Sequence, residues 1–241
     1  FGTRFLGELK IPIVYFRATL FLVPAYVFFL FQKQYTHALI CCIAMILAFS
    51  KASILLALFF GGIFLIKIRT SFFSKLILII APFFLLCSIK FFFPVWLDEI
   101  IHSITGESNT MQVRIIHFIS YLDFLKDNPL LLISGQGAGS LFFTDAVGGF
   151  VSNIEIDHIN SIRKFGLIWF AFFSFYVFFI AYSLIKKKVL LFNATGWALL
   201  SSFIASGTNP VLISPVFFIL FVSSIRMMRC KDDRKNIIVD V

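Results

Sequence analysis

Apolar runs alternate with short basic connections along most of the chain, and one long stretch, Pro94 to Phe165, breaks the pattern with mixed polar and apolar positions. A helix that spans a bilayer needs about 20 mostly apolar residues, fewer where protein shields it. The runs that approach this requirement are Ile11–Phe31, interrupted only by Arg17, then Tyr35–Phe49, Ala52–Ile66, Leu76–Phe93, Phe165–Ile185, Val189–Ser206 and Val211–Ile225. Ser50 and Lys51 separate the second from the third, and the two together exceed one span at about 1.5 Å per residue, so they predict a hairpin. The expected fold is all-α, a polytopic transmembrane bundle of about seven helices with one long, partly helical extracytoplasmic loop. Residues 1–93 hold the first four spans, 94–164 the loop, 165–225 the last three spans and 226–241 a basic tail.

Within the loop, Asn109 through Gln112 (NTMQ) form a helix start, with Asn109 placed to cap and Gln112 to reach back. Ile115, Phe118, Ile119, Leu122 and Leu125 then recur at helical spacing, and Asn128 before Pro129 ends the helix. Arg114, His117 and Tyr121 fall on one stripe beside that apolar face, which predicts an amphipathic helix lying on the membrane or on the bundle. The run GQGAGS, from Gly135 to Ser140, predicts a sharp turn. A second helical stretch, Ile154 to Phe165, is expected to run on into the fifth span.

Composition sharpens the picture. With 60% hydrophobic and 18% aromatic residues and a mean hydropathy of +0.97, the chain is outside the range of an ordinary soluble domain. It begins at Phe1 with no leader pattern, so it reads as a fragment of a longer membrane protein. The net charge of +9 raises the question of nucleic acid, but no basic-aromatic module is present and position accounts for the charge instead. Lys33, Lys67, Arg69, Lys75, Lys186, Lys187, Lys188, Arg226, Arg229, Lys231, Arg234 and Lys235 all fall on one side of a seven-span arrangement, and the positive-inside rule makes that side cytoplasmic. The long loop, Lys51 and the link Ser206–Pro210 are then together on the outer face. Cys41, Cys42, Cys87 and Cys230 show no metal-ligand spacing and read as inert thiols.

Candidate chemistry concentrates in the loop. Arg114 is either a solvated surface arginine or, in company with Arg17 and Lys51 near the same membrane face, part of a cationic site. A cation inside an apolar segment is costly enough to suggest function, while snorkelling to the interface is the plain alternative. Gly135, Gly137 and Gly139 suit either an ordinary turn or an anion-binding nest. His158, flanked by Asp157 and Asn160, carries an imidazole able to act as a base. His102 and His117 are weaker candidates, and nothing at ligand spacing points to a metal. Nucleophile elbows, zinc-protease and P-loop sequences are missing, which argues against esterase, metalloprotease and ATPase functions.

The order of these features resembles the O-antigen polymerase and O-antigen ligase superfamily: SKAS in a short hairpin, an arginine opening the loop helix in VRIIHFISYLDFLKDNPLLLISGQGAGS, then DHINSIRKFGLIWF entering a membrane helix. The resemblance runs from about Arg17 to Pro210 and implies a metal-independent membrane glycosyltransferase that uses polyprenyl-diphosphate-linked glycans as donor and acceptor and needs no cofactor. It implies a location in the bacterial inner membrane with the site facing the periplasm, and a chain-length regulator protein as a further partner. By the same resemblance Arg114 matches the loop arginine, Gly135 to Gly139 the glycine turn and His158 the loop histidine. Lys51 stands where the family often has arginine, and Ile159 separates His158 from Asn160 where the family has His followed closely by Asn. The expected roles are diphosphate binding for Arg17, Lys51, Arg114, Gly135, Gly137 and Gly139, catalysis for His158 and Arg114, and support from Asp157, Asn160 and Arg163. A polymerase is favoured, a ligase acting on lipid A core is the alternative within the family, and a lipid-glycan transporter or flippase or a subunit without chemistry are alternatives outside it.

Overall fold

The computed structural model describes residues 2–6, 9–13, 21–48, 51–67, 109–154, 156–207, 211–212 and 214–230. In chain order these form strands β1 (Gly2–Leu6) and β2 (Leu9–Ile13), then helices α1 (Leu22–Phe31), α2 (Tyr35–Leu47) and α3 (Lys51–Lys67). After them come α4 (Asn109–Asp127), the single turn α5 (Leu131–Ser134), strands β3 (Phe142–Thr144) and β4 (Gly149–Val151), and α6 (Asp157–Phe165). The chain closes with α7 (Leu167–Ile185), α8 (Leu190–Ala205) and α9 (Pro215–Arg229).

The fold is mostly helical, and most of the expected segments appear as helices. Two corrections concern strands. Ile11 to Ile13, counted with the first span, belong to β2, which pairs antiparallel with β1, and among the described residues the helix from that run is α1. The loop carries a second antiparallel hairpin, β3–β4, with Phe143 opposite Phe150 and their rings 5.7 Å apart. Among the described residues α7, with 19 residues, is the one helix long and apolar enough to cross a membrane, while α1, α3, α8 and the Tyr35–Met45 part of α2 are apolar but shorter. The fourth expected span, Leu76–Phe93, lies outside the described residues, as do Arg17 and His102.

Helix α8 is the axis of the assembly, packed against α1, α3, α7 and α9. Its inner positions divide between two cores. Leu199 and Phe203 join Val177, Ile180 and Leu184 of α7 and Phe217 of α9, whereas Ala194 and Trp197 join Val23, Val27 and Phe31 of α1 and Phe60 of α3. Trp197 stacks on Phe31 with ring centres 4.9 Å apart. Helix α9 starts where its sequence dictates. Pro215 occupies the first turn, where its missing N–H is not needed, and the Ser214 hydroxyl accepts the N–H of Phe217 at 3.2 Å. The outward side of α7 is an apolar wall, with Ile168, Phe172, Phe175 and Tyr182 all more than half exposed.

Antiparallel helices give the bundle two unlike ends. At one, Lys187 donates to the carbonyls of Met227 (2.9 Å), Met228 (3.2 Å) and Cys230 (2.6 Å), which ties the α7–α8 connection to the last turn of α9 and satisfies its terminal carbonyls. Lys186 covers the Tyr182 ring and Arg226 and Arg229 occupy that same last turn. At the other end lie the start of α7, the end of α8, the start of α9 and all of α6.

Candidate functional site

Helix α6 has nine residues, and its buried positions are polar: Asp157, Asn160, Ser161, Arg163 and Lys164. A helix with that pattern is held by hydrogen bonds more than by apolar contact, and those bonds run in two directions.

Toward the end of the bundle, Asp157 and His158 grip the link after α8. The Asp157 N–H donates to the Ser206 carbonyl at 3.2 Å, and its carboxylate accepts the N–H of Leu212 at 2.7 Å. The imidazole of His158 lies between aromatic rings, with centres 4.8 Å from Phe203 and 5.5 Å from Phe170. Its Nε2 is 3.0 Å from the Phe203 carbonyl oxygen and 2.7 Å from Ser206 Oγ. Burial pushes its pKa below the ordinary histidine value, and the Phe203 carbonyl opposes this only in part, so the ring is neutral near pH 7. A half-buried neutral imidazole with one nitrogen anchored is suited to accept a proton at the other.

Toward the loop, Arg163 is the hub. It is fully buried and donates to Gln136 Oε1 at 2.8 Å, to the Ser140 carbonyl at 3.2 Å, to the Ser152 carbonyl at 2.6 Å and to Asn160 Oδ1 at 3.1 Å. Its guanidinium also lies over the Phe142 ring, 5.0 Å from the centre. Asn153 Oδ1 accepts from Lys164 Nζ at 2.5 Å and from Asn160 Nδ2 at 3.3 Å. Expected as a supporting residue, Arg163 proves to bind the glycine run and the β3–β4 hairpin to one helix. Asn160, expected as support for His158, hydrogen-bonds Arg163 and Asn153 instead.

The glycine run is a brace. Gly135 N–H donates to the Leu131 carbonyl at 2.9 Å, Gln136 N–H to Arg163 at 2.7 Å and Gly137 N–H to Lys164 at 2.9 Å. The last two cap the carbonyl end of α6, so the loop has spent on a helix terminus the amides that a diphosphate would need. Gly135 and Gly137, expected at a diphosphate, have their backbone N–H groups on the Leu131 and Lys164 carbonyls. Gly139 stands in open space. The expected continuation of α6 into the fifth span is corrected by Gly166, whose φ of 87° ends one helix and begins the next.

Helix α4 matches its sequence expectation nearly residue for residue, except that Asn109 is already inside the helix. Its polar stripe turns inward. His117 Nδ1 is 2.8 Å from Thr144 Oγ1, Ser120 Oγ accepts the Asp145 N–H at 3.2 Å, and Tyr121 packs with Phe142 and Ile154. Arg114 is half-buried on this helix. The contacts of His158 are with Phe170, Phe203 and Ser206, so the structure does not bring Arg114 and His158 into contact. Lys51 opens α3, whose other end carries Phe64 against Phe31, which sets Lys51 at the opposite end of that helix from α1's last turn. Among the described residues no group of three or more His, Cys, Asp or Glu is placed to hold a metal.

Sequence reasoning missed Phe203, Ser206 and Gly207, the other half of the His158 site. Their only signal was a small, polar link after an apolar run. No protein-family model, curated protein or solved structure matches the chain.

Proposed function

We propose that the chain is the catalytic part of a membrane glycosyltransferase of the polysaccharide-polymerase kind, which moves a glycan from polyprenyl diphosphate to a hydroxyl of a second lipid-linked repeat unit. The observation that carries this reading is His158: a neutral, half-buried imidazole anchored at one nitrogen, at the end of the bundle away from the lysines of the α7–α8 connection. By the positive-inside rule that end faces outward, where lipid-linked glycans are polymerised. The exposed apolar side of α7 supports a bilayer setting, because a water-soluble monomer rarely leaves so large a patch uncovered. In the proposed fold the shorter helices α1, α2, α3, α8 and α9 share the membrane with α7 in a polytopic bundle, shielded by one another as their lengths require.

In the reaction the acceptor hydroxyl gives its proton to His158 and its oxygen attacks the anomeric carbon of the donor sugar. The bond from that carbon to phosphate breaks, and polyprenyl diphosphate leaves with the electron pair. Cations that neutralise the departing diphosphate lower the barrier without a metal. Arg17, Lys51 and Arg114 are assigned to this task, Arg17 by position in the chain alone. Gly135, Gly137, Asn160 and Arg163 are assigned to holding the loop, and Asp157 to holding the link that faces His158. The partners are lipid-linked donor and acceptor in the bacterial inner membrane, together with a chain-length regulator.

Complementation of a deletion strain tests the reading. His158→Ala and Arg114→Ala are each expected to lower polymer formation about a hundredfold or more, and full-length polysaccharide from both variants would refute the assignment. The gel of the deletion strain itself separates the two acceptors, since a lost polymerase leaves single repeat units on the core and a lost ligase leaves bare core.

A further inference from the structure

The imidazole of His158 has two nitrogens, and the structure treats them differently. The Phe203 carbonyl can only accept, and it already receives the Ser206 hydroxyl proton. With Nε2 at 3.0 Å from that oxygen, a bare Nε2 would set two lone pairs against each other, so the proton of the neutral ring is on Nε2. Ser206 Oγ, 2.7 Å away, then accepts a share of the same N–H. Nδ1 is left as the acceptor nitrogen and has no hydrogen-bond partner among the described residues. Beside it is Gly207: a methyl group there would sit 3.3 Å from Nδ1 and 3.4 Å from Cε1.

We infer that Nδ1 is the nitrogen that takes the acceptor proton, that Ser206 and the Phe203 carbonyl are positioning groups which fix this tautomer, and that the bare Cα of Gly207 is the opening through which the acceptor hydroxyl reaches Nδ1. The inference rests on the glycosyl-transfer reading and adds to it which atom reacts and which residue controls approach. The proton passes from the acceptor oxygen to Nδ1 as that oxygen bonds the anomeric carbon. The resulting imidazolium, with Nε2–H still on Phe203, returns the proton to water once polyprenyl diphosphate has left. Burial between Phe170 and Phe203 favours the neutral ring at both ends of the cycle.

Two measurements decide it. Nitrogen-15 spectra of the histidine-labelled protein in nanodiscs, with His158 assigned by its loss in His158→Gln, are expected to show Nε2 protonated and Nδ1 bare near neutral pH. A protonated Nδ1 overturns the inference whatever the protein catalyses. In Gly207→Ala, carbethoxylation of His158 by diethyl pyrocarbonate should slow and polymer formation should fall about a hundredfold, with the rate constant falling more than the apparent affinity for acceptor. Unchanged carbethoxylation together with unchanged polymer also overturns it. Full polymer from His158→Gln would instead refute the reaction reading and leave the tautomer to be judged from the spectra alone.

Discussion

Gly135 and Gly166 meet backbone to backbone. A methyl group on Gly135 would lie 2.6 Å from the Gly166 nitrogen, and one on Gly166 would lie 2.0 Å from the Ile133 carbonyl oxygen. Both residues also have positive φ, 75° and 87°. The contact brings the end of α5 against the break between α6 and α7, so the loop, the His158 helix and the membrane helix share one joint.

Gly166→Ala should therefore be among the most damaging single-methyl changes in the protein. The backbone conformation alone costs about 1–3 kcal/mol with a side chain present, and the carbonyl contact adds to it because a backbone atom cannot swing away. Gly139→Ala, in open space and without positive φ, should be close to neutral. Thermal unfolding of the two variants in detergent checks the contrast, and equal midpoints would mean that the joint does not hold.

Arg163 is a buried cation whose described partners are amide, hydroxyl and carbonyl oxygens. Removing it in Arg163→Ala strands Gln136, Ser152 and Asn160, at about 1–3 kcal/mol for each acceptor left dry. Arg163→Lys should recover little, because an ammonium cannot reproduce a fork that reaches the glycine run and the hairpin at once. Protease cutting between Gln136 and Ser152 should rise in both variants, and a wild-type cutting rate in Arg163→Lys would show that the fork is not what binds the loop.

Acid should weaken both the fold and the reaction through His158. Its folded-state pKa lies below the unfolded value near 6.5 because burial disfavours the imidazolium. Above about pH 6.5 neither state binds the proton and the effect is nil. Below it the unfolded chain gains the proton first, so stability falls as pH drops toward the folded pKa. Asp157, the neighbouring charged group, directs its carboxylate to the Leu212 N–H, and Phe170, Phe203, Ser206 and Gly207 carry no charge. His158→Gln should flatten this acid loss of stability. The wild-type rate should hold down to a pH below the ordinary histidine value, and an acid limb lying above that value would contradict the burial argument.

Sidedness can be read from single cysteines. A cysteine at Gly148, the exposed turn of the β3–β4 hairpin, should react with an impermeant maleimide added to spheroplasts, while one at Lys188 should react only after the inner membrane is opened. The reverse pattern would turn His158 to the cytosol and end the glycosyl-transfer reading.

How much of this the chain discloses depends on the kind of force involved. Helices α2, α3, α4 and α8 are legible because apolar periodicity and length are local properties, and their ends fall within a few residues of expectation. The β3–β4 hairpin was missed although Phe142, Phe143 and Thr144 precede Gly148 and Gly149, a glycine pair flanked by strand-forming residues. Arg163 reads from the sequence only as a supporting residue on the His158 helix. Nothing local distinguishes it, since Gln136, Ser140 and Ser152 come to it only after the loop has folded back on α6. His158 stood out by its residue type, yet its orienting groups are 45 and 48 residues away, beyond the reach of any spacing rule.

The last prediction concerns the outward face of α4. His117, Ser120 and Tyr121 are buried, with 3–8% exposure, while Ile115, Ile116, Phe118, Ile119 and Leu122 are 37–49% exposed. A water-soluble helix would show the opposite pattern, and the reason for the inversion is chemical: His117 and Ser120 have polar partners in Thr144 and Asp145 and the Tyr121 ring packs with Phe142 and Ile154, so the apolar face is left over. In an interface such side chains gain about 1.5–3 kcal/mol each if fully buried in lipid, enough to hold the helix flat against the headgroups. A nitroxide at Leu122 in nanodiscs should therefore be relaxed more by oxygen than by a water-soluble nickel chelate, and one at Lys188, exposed in the basic α7–α8 connection, should show the reverse. Equal preference for the nickel chelate at both positions would mean that the face looks into water, and that some other protein covers it.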